Sequence, residues 1–282
     1  MNSDKQKLKS VLEKLYKKYN RFELIKPDPL QFVYYYSGRA DMETAGFIAA
    51  SLAYGRVAQI GKSVSKLLKI MGGSPSEFIR NFSARDRSRF DSFKHRFNTG
   101  QDIADLFAVL KKAVNQAGSI EEFFLCGYSN EDRTIVPALS RFCRELIEMH
   151  EKRTDKASSM GFKYLLSDPE KGSACKRLNL FLRWMIRDDD VDAGLWKSIP
   201  PSKLVVPVDV HMGRLCKVLR LYDRKTISMK TAMEITEQFA QVQKDDPVKY
   251  DFCLSRIGIV ENCTGKINDK CKHCELNGYC SK

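Results

Sequence analysis

Apolar residues recur along this chain at helical rather than strand spacing. In the first segment Leu8, Val11, Leu12, Leu15, Tyr16 and Tyr19 fall at i, i+3 and i+4 positions, with Lys5, Lys7, Lys14, Lys17 and Lys18 between them. This predicts an amphipathic helix with a basic outer face, ended by Pro27-Asp28-Pro29. The same periodicity predicts helices from about Glu43 to Tyr54, Gln59 to Met71, Ile103 to Val114 and Thr134 to Met149. It predicts others from Ala174 to Ile186, Val210 to Leu221 and Met229 to Val242. Strand signals are nearly absent: Leu204-Val205-Val206 is brief, and Pro207 cuts it. The helices are separated by short punctuation such as Gly72-Gly73-Ser74-Pro75, Asp168-Pro169 and Ile199-Pro200-Pro201. Many helices on short connections, without an internal repeat, predict a compact all-α protein rather than a solenoid.

Composition narrows the partners. The chain has 282 residues, 43% hydrophobic and 29% charged, which is a globular rather than a disordered balance. The longest charge-free apolar stretch, Thr44 to Gly55, falls short of the roughly 20 residues a membrane helix needs. The first residues lack the apolar core of a signal peptide, so a cytoplasmic protein without a membrane partner is expected. With 48 Lys+Arg against 35 Asp+Glu the net charge is +13, which suits a polyanionic partner without naming one.

Two charged segments depart from plain amphipathic helix. Arg80 to Arg96 interleaves basic residues with Phe82, Phe90 and Phe93, and Phe97 follows it. It reads either as a grip on a phosphate backbone or as a solvated face over a buried phenylalanine stripe, the second being the expectation. Asp188, Asp189, Asp190 and Asp192 form an acidic run whose alternatives are a hard-cation site and a solvated loop, again with the second expected.

The nine cysteines are unevenly placed, and four crowd the C-terminus as Cys263-x7-Cys271-x2-Cys274-x5-Cys280. In a chain with no sign of export, such a cluster reads as a metal site before a disulfide framework. Four thiolates suit Zn²⁺ or an iron–sulfur cluster, since both take tetrahedral sulfur. Thr264, Gly265, Asn268, Asp269, Asn277 and Gly278 between them are the small polar residues of tight loops. They offer little core, so a bound centre would order the tail. His273 is a possible substitute ligand, whereas Cys253 reads as a buried thiol.

The tail resembles the C-terminal four-iron, four-sulfur loop of endonuclease III and the adenine DNA glycosylases, usually spaced C-x6-C-x2-C-x5-C. Its first gap is one residue longer here, and zinc stays open as the alternative metal. A second string, Val206 to Met212 with Pro207-Val208-Asp209-Val210-His211-Met212, resembles the signature of the helix-hairpin-helix DNA glycosylase superfamily, particularly its 8-oxoguanine glycosylases. On the residues alone Asp209 is a helix N-cap, followed by an apolar stripe of Met212, Leu215, Cys216 and Leu219. The resemblance implies that Asp209 instead supports cleavage of an N-glycosidic bond, stabilising charge on the sugar. His211 would meet a phosphate, its alternative being a packed histidine.

Gly172-Ser-Ala-Cys-Lys176-Arg-Leu resembles that superfamily's hairpin, with Gly172 as the first hairpin glycine and Lys176 at the lysine nucleophile position. Arg177, and burial against Leu178 and Phe181, would favour the neutral amine that attack on a sugar requires. A solvated or phosphate-binding lysine is the other reading. Ala174 stands at the second glycine, and Lys176 lies 33 residues before Asp209, with Asp188 to Ser202 as the added length. Phe47 to Ile60 is similar to the family's early helix and the turn that wedges into the duplex, which points to Arg56 and Gln59.

The resemblance therefore implies a two-domain base-excision glycosylase. Residues 45–205 would form a central helical domain with the hairpin; 1–44 and 206–282 a second carrying Asp209 and the iron–sulfur loop. Lys176 and Asp209 would be catalytic, the enzyme possessing AP-lyase activity if Lys176 forms a Schiff base. Arg56, Gln59, Gly172, Arg177, His211 and Arg214 would contact DNA. Cys263, Cys271, Cys274 and Cys280 would bind a 4Fe-4S cluster. The partner would be double-stranded DNA with a damaged or mispaired base, met by a monomer, nucleoid-associated in a prokaryote. Two rivals are a non-catalytic DNA-binding relative and a zinc-stabilised RNA-binding or RNA-processing protein.

Overall fold

The computed structural model describes residues 3–260, 263 and 269–280, over which the chain is mostly helical. The order is α1 (Ser3–Tyr19), α2 (Arg39–Ser51), α3 (Val57–Met71), α4 (Pro75–Asn81), α5 (Gly100–Ala117), α6 (Ile120–Leu125) and α7 (Val136–Thr154). There follow α8 (Met160–Leu165), α9 (Lys176–Ile186), α10 (Val210–Val218), α11 (Met229–Ala240), α12 (Asp251–Val260) and α13 (Asn277–Cys280). The strands among the described residues are β1 (Lys94–His95) and β2 (Asn98–Thr99), one antiparallel hairpin. Leu204-Val205-Val206 is buried but joins no sheet. Among the described residues no helix is long and apolar enough to cross a membrane.

The helix ends follow local chemistry. Ser74, Thr99, Ser119, Ser159, Asp209 and Ser228 each accept a hydrogen bond from a first-turn N–H, satisfying donors that a helix start leaves open. Helix α9 is the central strut, burying Leu178, Phe181, Leu182, Trp184, Met185 and Ile186. It lies against α2, where Gly46 permits the approach: a Cβ there would stand 3.0 Å from Met185 Cε and 3.1 Å from Val33 Cγ2. Phe47 and Trp196 meet Phe181 edge-on, at 5.2 and 5.3 Å between ring centres. On the other side α1 packs on α12, and α12 on α10. Glu13 of α1 accepts from Lys249 Nζ and the Tyr250 hydroxyl, each at 2.7 Å. One continuous apolar core runs through both groups of helices.

The acidic run corrects the expectation of a solvated loop. Asp188 and Asp190 are exposed, but Asp192 is buried and Asp189 nearly so. Asp192 faces Arg183 at 3.1 Å and Arg187 at 2.5 Å, while Arg187 also meets Asp189 and Asp246, each at 2.9 Å. Arg183 further pairs with Asp251. Burial works against the charge on Arg183, but Asp192 and Asp251 outweigh it and lift its pKa above the ordinary guanidinium range. Between Arg80 and Arg96 the buried phenylalanine stripe is present in Phe82, Phe90 and Phe93, with Phe97 exposed on the hairpin turn. Of the cations there, Arg87 pairs with Asp105 and Arg89 lies over the Phe78 ring.

Candidate active site

A cleft of about 390 Å³, of the size that takes small ligands, opens where six segments meet, α3 contributing Val57 and Ile60. Helix α9 supplies Lys176, Leu180 and Arg183, spaced i, i+4 and i+7 and so forming one stripe along its face. The start of α10 and its approach supply Pro207, Asp209, His211 and Met212. Helix α12 supplies Asp251 and Ser255, the segment before α2 supplies Asp28 and Pro29, and the α2–α3 turn supplies Tyr54 and Gly55.

The turn into α9 is built from unusual backbone. Gly172 is left-handed at φ +91°, with its N–H donated to the Pro169 carbonyl at 3.0 Å. Cys175, rather than Ala174, takes a second left-handed position at φ +46°, directly before the helix. Its thiol donates to the Ser167 carbonyl at 3.0 Å, and the side chain is buried. Lys176 is therefore the first helical residue, and side chains there lean back toward the helix start. Its Nζ donates to the Ala53 carbonyl at 3.1 Å and stands 3.9 Å from Asp209 Oδ2. Both side chains are partly open to solvent, 28% and 36% exposed, as groups that meet a substrate must be.

Asp209 does two things at once. Its Oδ1 accepts from the Met212 N–H at 2.8 Å and caps α10, while Oδ2 faces Lys176. The N-cap reading and the site reading are thus compatible, because a carboxylate has two oxygens. At the inner end of the cleft Arg183 bonds Asp251 Oδ2, and Asp28 Oδ2 accepts from Arg256 at 2.7 Å. Burial raises the Asp251 carboxyl to about 6 against the pull of Arg183, with Asp209 and Asp192 adding to the rise.

The other residues expected to touch DNA divide. Arg56 and Gln59 are exposed at the start of α3, Gly172 is exposed on the turn into α9, and His211 is exposed beside the cleft. A Cβ on Gly258 would lie 3.3 Å from His211, so the ring side of that histidine rests on α12. Arg177 requires correction. It is buried, donates to the Ser51 carbonyl at 2.7 Å and to the Tyr164 carbonyl, and lies 4.0 Å from the Tyr164 ring centre. One residue along a helix is a turn of about 100°, so a neighbour of Lys176 points into the body of the protein. Leu178 and Phe181 likewise face the core, whereas Lys176 shares its face with Leu180 and Arg183. Arg214 is half-buried, with one arm committed to the Cys263 carbonyl at 3.3 Å.

In the tail Cys263, Cys271, Cys274 and Cys280 are all half-buried. Burial raises the thiols of Cys274 and Cys280, with the other cysteines of the tail adding to the rise. Among the described residues no three His, Cys, Asp or Glu side chains stand as a ready-made metal site. Thr264, Gly265 and Asn268 lie outside the described residues. The fit to a metal therefore rests on donor chemistry: four soft thiols on short loops suit an iron–sulfur centre or zinc. Cys253 is buried, its thiol donating to the Tyr250 carbonyl at 3.1 Å.

Asp28, Arg183, Asp251 and Ser255 were not anticipated as cleft residues. The i, i+4, i+7 stripe running on from Lys176 was the signal for Arg183, and none in the sequence places the other three beside it.

The fold and cleft define a mostly helical protein with a lysine and a carboxylate facing each other across a pocket. The chain belongs to a protein family of unknown function, DUF2400, whose model matches residues 28–260. No curated protein and no solved structure matches it.

Proposed function

We propose that this protein is a DNA glycosylase with AP-lyase activity that removes a damaged or mispaired base. The observation that carries the reading is the approach of Lys176 to Asp209, 3.9 Å apart across one cleft although far apart in sequence. In the reaction the neutral Lys176 amine forms a bond to the sugar C1′ as the C1′–N bond breaks. The base departs with that electron pair and takes up a proton. Asp209 stabilises the positive charge that develops on the sugar. Opening of the sugar ring leaves an iminium between C1′ and Nζ, and loss of a C2′ proton then expels the 3′ phosphate. The glycosidic carbon is out of reach in a stacked duplex, so the base must be extruded into the cleft. A base with its sugar suits the cleft volume. The surplus cations, Arg56 among them, would hold the phosphates, with affinity falling steeply as salt rises.

Cys263, Cys271, Cys274 and Cys280 would hold a 4Fe-4S cluster whose role is to order the tail. Arg214, bonded to the Cys263 carbonyl, would carry that order to the helix capped by Asp209. Protein purified without oxygen should be brown and contain iron and acid-labile sulfide; colourless protein with one zinc per chain would replace the cluster by zinc.

The reading is tested by incubating the protein with duplexes bearing oxidised purines, oxidised pyrimidines, mispaired adenine or an abasic site, in the presence of borohydride. A covalent protein–DNA adduct is expected on the abasic site and on at least one lesion. Base release without an adduct would reduce the enzyme to a monofunctional glycosylase. Absence of release and of adduct on every substrate would leave a binding protein.

A further inference from the structure

The inner end of the cleft has a chemistry that the Lys176–Asp209 pair does not use. Asp251 and Ser255 lie one turn apart on α12, so both project to the same side, and both line the cleft. Asp251 is 4% exposed. Its partner is Arg183, which bonds Oδ2 from the opposite wall and also holds Asp192 at 3.1 Å. Two carboxylates, Asp251 and Asp28, thus reach the inner end, Asp28 paired with Arg256 and Asp251 with Arg183, which it shares with Asp192. Asp28 is spent on the Leu30 N–H at 3.0 Å and on Arg256 at 2.7 Å. A carboxylate accepts about four hydrogen bonds, so the bond from Arg183 leaves Asp251 with acceptor capacity beside the cleft.

A buried acceptor of this kind selects among bases by the pattern of their edges. A guanine-type edge offers two neighbouring donors, N1–H and the 2-amino group, which match the paired oxygens of a carboxylate. An adenine or cytosine edge offers one donor beside an acceptor. A uracil or thymine edge offers one N–H between two carbonyls, each repelled by the carboxylate. A site built to accept two donors rejects a base that lacks them, because its buried polar group is then left unpaired.

We propose, building on the glycosylase reading, that Asp251 is the base-reading residue of the cleft and that the excised base is a purine with a guanine-type edge. Ser255 stands beside it, its hydroxyl donated to the Phe252 carbonyl at 2.8 Å and its lone pairs turned to account by the base's remaining donors. The Lys176–Asp209 pair acts on the sugar and Asp251 acts on the base, so the two ends of the cleft have separable tasks.

The test is a ratio of base-release rates, 8-oxoguanine against thymine glycol, each in duplex DNA, for the wild type and for Asp251→Asn. A ratio taken on one preparation is insensitive to the fraction that has folded. The wild type is expected to favour 8-oxoguanine by about 100-fold or more, and Asp251→Asn to shrink that preference by about 10-fold or more. An unchanged ratio, an equal slowing of both bases, or a wild-type preference for thymine glycol would overturn the assignment. Trapping on an abasic site, which has no base to read, separates the two readings. An adduct there together with an unchanged ratio sinks Asp251 alone. No adduct and no base release sinks the glycosylase reading and this one with it.

Discussion

Lys176→Gln is expected to yield no borohydride adduct on any substrate and to release base at least ~10³-fold more slowly than the wild type. Glutamine keeps the hydrogen bond to the Ala53 carbonyl within reach, so the turn into α9 should survive. Asp209→Asn should slow base release by about 10²–10⁴-fold while leaving a slow adduct on a pre-formed abasic site, where the glycosidic bond is already gone. The asparagine oxygen can still cap α10 by accepting from Met212, which separates the chemical role of Asp209 from its structural one. The double variant should be no slower than Lys176→Gln alone, since groups that act as one unit are not additive. Single-turnover rates on a lesion and on an abasic site measure all three variants. A Lys176→Gln protein that still forms the adduct would remove Lys176 from the nucleophile's role.

The second large effect is on stability. Arg183→Met should destabilise the protein by about 3–5 kcal/mol, read as a lower urea midpoint at unchanged slope. The cost arises less from losing attractions than from what is left behind: Asp251 buried without its arginine, and Asp192 with Arg187 alone. Arg183→Met combined with Asp251→Asn should recover part of the loss, because the second change removes the stranded charge. If the double variant were as unstable as the sum of the two single changes, the pair would not be the source of the effect.

How much of this could be read from the chain depends on how local each signal is. The long helices were visible because three or more turns repeat the apolar period, and the observed α1, α3, α5, α7, α9 and α11 lie where that period runs. Helices α4, α6 and α8 are too short to show a period and are set by Ser caps and by packing. The β1–β2 hairpin carries no turn signal at all: Arg96 takes the left-handed position that glycine or asparagine usually advertises. The acidic run looks solvated in the sequence because its cation partners, Arg183 and Arg187, sit on and just after the preceding helix, and its other partners, Tyr16 and Asn20, are far along the chain. Lys176 and Asp209 stood out because each lies in a recognisable string. Asp251 and Ser255 did not, because their meaning lies in what faces them across space.

The segment that separates Lys176 from Asp209 in sequence is fastened at several points. Tyr16 and Asn20 donate to Asp189 at 2.9 and 3.1 Å, Tyr34 donates to the Val191 carbonyl at 2.6 Å, and the Trp196 indole donates to Glu43 at 2.8 Å. The chain between Lys176 and Asp209 is therefore not slack. It acts as a gauge bar, clamped by the first thirty-odd residues and by α2, and it sets the distance between the two side chains that face each other across the cleft.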